Sequence, residues 1–179
     1  MPGNHEVETM TERSISGRES SRYEGLVRLR DQERRRIAAS SVCVKGEGLP
    51  WEINPQGAMK WYMHPEIDST AHKFLIFYAQ EIPPGGRSGK QRCQGGAVFV
   101  VVEGSGYSLL DGERYDWKPG DLLQLPIRPD GVVFQHFNAS EKEPALLIAA
   151  EPNLAATTGV DRACGFEQLE AAPECKDKG

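Results

Sequence analysis

Apolar and polar positions change rhythm near residue 41. Residues 1–21 are polar and show no apolar period, so they are expected to form a loose tail. From Arg22 to about Ser40, Tyr23, Leu26, Leu29 and Ile37 recur near helical spacing, which predicts an N-terminal helix. Beyond it, short β-rich runs take over: Met59–Met63, Phe74–Ile82, Val98–Glu103, Tyr107–Leu110, Leu122–Leu125, Val132–Phe137 and Leu146–Ala150. Turn signals separate them, among them Pro83-Pro84-Gly85-Gly86, Asp111-Gly112 and Lys118-Pro119-Gly120. Strands at this spacing with no helix between them predict an all-β antiparallel sandwich or barrel over residues 41–152. Residues 153–179 form a C-terminal extension with little strand character, in which Gly165 to Ala171 is expected to make a turn of helix.

Composition narrows the function classes. The chain has 179 residues, 39% hydrophobic and 26% charged, with a net charge of -5. That is one domain's worth of chain. The acidic balance argues against a general nucleic-acid binder. No apolar run approaches the roughly 20 residues of a membrane span. The start, Met1 to Ser14, lacks the basic and apolar regions of a signal peptide, so a cytoplasmic location is expected. Cys43, Cys93, Cys164 and Cys175 form no C-x-x-C pair; Cys164 and Cys175 could pair, but nothing requires it. Arg28, Arg30, Arg34, Arg35 and Arg36 make the helix basic, with Asp31 and Glu33 interrupting. A solvated face is the plain reading and a dock for an acidic partner the alternative.

Two frames carry more information. Gly85 is followed by five residues, Gln91-Arg92-Cys93, three residues, Ala97, six residues and Gly104. Gly120 is followed by Pro126, the insertion Ile127 to Asp130, Gly131, two residues, Phe134, three residues and Asn138. In order and spacing these frames resemble the two motifs of the cupins over Ile82 to about Glu151. More loosely, Trp61 to Pro65 and Tyr115-Asp116-Trp117 resemble bacterial cupins related to aromatic-ring dioxygenases. The resemblance implies a jelly-roll β-barrel (a double-stranded β-helix) preceded by the N-terminal helix, enclosing a small-molecule site. It also implies a homodimer.

Cupins normally hold a metal with three histidines and a glutamate. Here the first two histidine positions are Gln91 and Cys93, the glutamate position is Ala97 and the last histidine position is Phe134. Neither alanine nor phenylalanine can donate an electron pair to a metal. His136 lies two residues past Phe134, so strand alternation points both inward, and Gln91 and Cys93 share a face in the same way. The expectation is a Gln91/Cys93/His136 cluster, with the two pairs facing each other across the cavity. His136 and Cys93 could hold one transition metal (iron, zinc or copper) at a non-standard site, with His64 or His72 as a third ligand. Otherwise no cofactor is expected, and the cluster is a polar ligand site. Phe134, Phe99, Phe77, Trp117 and Arg87 are the candidate substrate contacts, with packed core the plain reading of the aromatics; Arg87 and Lys90 read equally as steering an anion or as a solvated turn. Read as an enzyme, the chain resembles an oxidoreductase of dioxygenase type acting on an aromatic or small organic acid. The alternatives are a metal-free isomerase or cyclase using His136 as acid or base, and a non-catalytic ligand-binding barrel. His64 also reads as an ordinary half-buried histidine, and His5 lies in the tail.

Overall fold

A computed structural model describes residues 21–67, 69–153 and 166–176. Helix α1 (Arg22–Ala38) opens with a capping box, in which Ser21 Oγ accepts from the Glu24 amide and the Glu24 carboxylate accepts from the Ser21 amide. None of its residues is buried, and Tyr23, Leu26 and Leu29 stay exposed. Arg36 ties its C-terminal end to the barrel by donating to the carbonyls of Thr70 and Ala71.

Eleven strands follow among the described residues: β1 (Glu52–Asn54), β2 (Gly57–Met63), β3 (Leu75–Ile82), β4 (Lys90–Cys93), β5 (Val98–Glu103), β6 (Gly106–Leu110), β7 (Glu113–Trp117), β8 (Leu122–Gln124), β9 (Val132–Asn138), β10 (Ala145–Pro152) and β11 (Phe166–Glu170), before a short helix α2 (Pro173–Lys176). They form two antiparallel sheets, ordered β1-β2-β3-β10-β5-β8 and β11-β4-β9-β6-β7. This is the all-β antiparallel architecture that the strand and turn pattern predicts, and the jelly roll that the resemblance of the two motif frames implies. Asp111 (φ 51) and Gly112 (φ 88) both take the left-handed conformation that a tight β6–β7 hairpin needs. At Gly106 a Cβ would lie 2.0 Å from the Phe137 carbonyl oxygen, so only glycine lets β6 approach β9 there.

The core lies between the sheets. Met59, Ile82, Phe99, Val101, Val132 and Leu147 are almost fully buried and come from both layers. Along β10 the burial alternates, with Ala145, Leu147 and Ala149 inward.

The segment expected as a helical turn is instead strand β11. It pairs with β4, Gln168 opposite Gln91 and Glu167 opposite Arg92. The reason is local: β4 would otherwise present an unpaired edge, and β11 brings acids to its basic side chains. Lys90 meets Glu170 at 2.6 Å and Arg92 meets Glu167 at 3.2 Å. A strand from beyond residue 152 therefore completes the five-stranded sheet. Cys164 and His5 lie outside the described residues.

Candidate functional site

Strand β9 turns Val132, Phe134, His136 and Asn138 inward, as period-two alternation requires. His136 has no exposed surface. Ser88, on the approach to β4, clamps its backbone: Ser88 Oγ accepts from the His136 amide at 2.9 Å, and the Ser88 amide donates to the His136 carbonyl at 2.9 Å. The ring stands edge-on to Phe99 (centroids 4.5 Å apart) and beside Phe134 (5.4 Å).

The ring's hydrogen bonds fix its proton. Trp117 Nε1, which can only donate, gives its hydrogen to Ser108 Oγ at 2.9 Å. The Ser108 hydroxyl lies 2.7 Å from His136 Nδ1. A hydroxyl already accepting from the indole satisfies its own proton by donating to Nδ1. That assigns the ring proton to Nε2, and Nε2 is buried with no hydrogen-bond partner among the described residues. Burial holds the imidazole down to about 3, so His136 is neutral at physiological pH. Burial thus disfavours the charged form that the alternative reading of His136 as acid or base would use. Its offering is an uncharged N–H donor. A buried donor of this kind costs about 1–3 kcal/mol until something accepts from it.

Gln91 and Cys93 are both buried on β4. The expected facing of the two pairs across a cavity is also corrected, because β4 and β9 are hydrogen-bonded neighbours in one sheet. Gln91 lies beside Phe134 and Cys93 beside Val132. His136 is four positions along β9 from Val132, roughly 13 Å of strand from the level of Cys93. Gln91 shares the level of Phe134, between the histidine and the thiol.

At the Cys93 level the barrel holds a group that sequence reasoning missed. Tyr78 on β3 is buried, and the charges of Glu151 on β10 and Cys93 on β4 act on its hydroxyl. Burial, then Glu151 and Cys93, push the phenol well above its ordinary value. Burial and Glu151 likewise raise the Cys93 thiol, against a lowering hydrogen bond from the Gly95 backbone. Part of Glu151 is accessible, but burial of its carboxyl alone pushes it up to about 7. The register Ala149 to Phe99 and Ala150 to Val98 sets Glu151 against Ala97 at the next step. The acid lost from the family's glutamate position thus has a carboxylate on the neighbouring strand. The available signal was the inward series Ala145, Leu147, Ala149, which ends one step later on Glu151.

Of the other candidates, Phe134, Phe99 and Trp117 are buried around His136 and Ser108. Phe77 is not in this interior. It alternates with Tyr78 and packs against Tyr62 at 5.9 Å on the other face. Arg87 is exposed on the outer side, bridging to Phe137, which points away from His136. His64 packs edge-on to Trp61 and His72 edge-on to Phe74, a residue 57% exposed, so neither supplies a third ligand inside. Among the described residues no three His, Cys, Asp or Glu side chains are grouped to hold a metal. With Ala97 and Phe134 in donor positions, and Cys93 and His136 at separate levels, the donor set does not fit a transition metal.

The Cupin domain family model matches residues 78–151. A curated relative, the 5-aminosalicylate 1,2-dioxygenase of a Comamonas species, is 27% identical over 117 residues, which are 65% of this chain and 29% of the relative. The chain thus spans less than a third of that relative's length. A cupin-like protein from Thermotoga maritima superposes with a TM-score of 0.50 at 19% identity, covering 71% of this chain and 93% of its own. Vicilin from tomato gives 0.52 at 14% identity, covering 71% of this chain and 35% of its own. These structures share the fold. No helix among the described residues is long and apolar enough to cross a membrane.

Proposed function

Because the chain belongs to the cupin superfamily, with its customary ligand positions taken by Gln91, Cys93, Ala97 and Phe134, we propose that it binds a small planar molecule inside the barrel, on His136 instead of on a metal. The observation that carries this reading is His136 Nε2, buried beside Phe99 and Phe134 and without a hydrogen-bond partner among the described residues. Two aromatic walls suit a flat ligand, and the lone N–H selects one with an acceptor atom in the ring plane. The relative that acts on 5-aminosalicylate makes hydroxylated aromatic acids the first class to try. Trp117 reports on the site through Ser108. Salicylate and 5-aminosalicylate should quench its fluorescence saturably. His136→Leu should weaken that binding about tenfold, the worth of one hydrogen bond. Binding unchanged in His136→Leu would contradict the reading.

The relationship to a dioxygenase favours a second reading, an oxidoreductase of aromatic acids. It requires a metal the described donors do not fit, so no step is derived through one. Oxygen uptake with salicylate, together with near-stoichiometric iron in protein purified without a polyhistidine tag, would support it over the first reading.

The proposed macromolecular partner is a second copy of the chain. Helix α1 carries six arginines against Glu24, Asp31 and Glu33, leaves Tyr23, Leu26 and Leu29 exposed, and belongs to a chain of net charge -5. Outside α1 the chain is net acidic, so another copy complements the helix in charge.

A further inference from the structure

We propose that a cleft on the open side of the barrel binds an aliphatic carboxylate, a molecule with an alkyl chain and one anionic head. This site is separate from His136 and does not rest on the reading above. It lies where the two sheets part. Strand β7 is the last strand of one sheet and β8 the last of the other, and the two are not hydrogen-bonded to each other. Between them runs a cleft of about 430 Å³. Among the described residues, Leu110, Leu122, Leu123, Leu125 and Pro126 supply its walls, and Arg128 is its charged group. The other two lining side chains, Tyr115 and Gln124, are uncharged.

The walls call for a chain. Leu110 is buried beside Phe134, Leu123 lies beside Phe99, and Leu125 is buried with its amide bonded to the Ala97 carbonyl. These three make a floor continuous with the core. Leu122 at the lip is 51% exposed, so apolar surface remains in water there until something covers it. Leucine and proline walls suit a flexible alkyl chain, and each methylene taken from water adds to its binding.

Arg128 selects the head group. It sits in the insertion Ile127 to Asp130, where its amide donates to the Gln94 carbonyl at 3.1 Å and its carbonyl accepts from the Gly131 amide at 3.0 Å. One Nη of its guanidinium donates to Asp111, whose other carboxylate oxygen accepts from the Val133 amide at 2.8 Å. Backbone and side chain are thus held in place before a ligand arrives. Asp111 does not line the cleft, and it takes one N–H of the planar fork. A carboxylate at the rim meets the N–H groups that remain, in the geometry that guanidinium and carboxylate share. The net charge of -5 does not favour anions at the surface in general, so the preference for one here is local to Arg128.

Octanoate, octanol and octylammonium are the probes, one chain with three head groups. Calorimetry reads their binding, and NMR signals of the protein locate it. Octanoate should bind wild-type protein about tenfold tighter than octanol, and octylammonium more weakly than either. The signals that move should centre on Leu122, Leu123 and Arg128, with the His136 ring in place. Lengthening the acid from hexanoate to octanoate should tighten binding about fourfold or more. Arg128→Gln, whose fold is checked by melting, should weaken octanoate about tenfold and leave octanol within about twofold. Leu122→Asp, at an exposed position, should weaken both. Octylammonium bound as tightly as octanoate, or octanoate bound equally by wild type and Arg128→Gln, would overturn the proposal. So would shifts centred on His136 instead of the cleft, or no binding of octanoate by the wild type. The salicylate titration is unaffected by either of the last two results, so the two sites stand or fall separately.

Discussion

His136 is buried and Glu151 half-buried, and their pKa values move in opposite directions, so they tilt stability against pH in opposite senses. An unfolded imidazole takes a proton below about 6.5, whereas the folded ring resists until about 3. Stability from the neutral ring is therefore complete above pH 6.5 and drains away as pH falls towards 3, by up to roughly 5 kcal/mol. Glu151 is raised, so its protonated form is favoured in the fold. Its contribution is complete below its unfolded value of 4.5 and is lost as pH rises through about 7, by roughly 3 kcal/mol. Glu151→Gln should accordingly stabilise the protein by about 3 kcal/mol near pH 8 and hardly at all near pH 4, as read by urea unfolding. An equal effect at both pH values would contradict a buried carboxyl. Cys93 yields a simpler expectation. Its thiol is buried and raised, while Cys43 is exposed. A thiol reagent should modify Cys43 at once and Cys93 only on unfolding, and rapid labelling of Cys93 in the native protein would contradict the site. At this scale the sequence was half legible. Alternation correctly turned His136, Phe134, Gln91 and Cys93 inward. It could not show that Ser108 and Trp117 fix the histidine's proton, because those contacts join strands 28 and 9 residues apart in sequence.

Elements were legible where turns and motif spacing marked them, and illegible where pairing made them. Strands β3, β5, β6, β9 and β10 follow from apolar runs between Gly and Pro turns. Strand β4 carries one apolar residue in four, and β11 falls where the sequence suggests a turn of helix. β11 gains its strand state from β4, through the Lys90–Glu170 and Arg92–Glu167 pairs and the shared ladder, and β4 from its ladders to both β9 and β11. Neighbouring strands also explain the misjudged facing of β4 and β9, since strand order is a property of the whole sheet. If the β4–β11 ladder closes this side of the barrel, cutting the chain before residue 166 should speed amide exchange at Arg92 and its neighbours about tenfold or more. Reversing Glu167 or Glu170 alone should cost under about 1 kcal/mol, because both ion pairs are partly solvated. Unchanged exchange in the truncated chain would show that β11 is dispensable.

The whole molecule is a jelly roll with an apolar core, a few buried polar side chains and a basic helix tied to it at Thr70 and Ala71. Its two sheets put an uncharged donor at one level and a carboxyl at another, with aromatic walls between. Light scattering after size exclusion should give twice the chain mass of 19.8 kDa, and replacing Leu26 and Leu29 by serine should halve it. A wild-type mass of one chain would contradict α1 as the contact. The central claim, that His136 presents a neutral, ligand-seeking N–H inside the barrel, is tested most directly by nitrogen-15 NMR of its ring. The account predicts a neutral ring with the proton on Nε2 from about pH 5 to 8, and an Nε2 signal that moves when salicylate is added. A ring that protonates near 6.5, or an Nε2 signal indifferent to ligand, would contradict it.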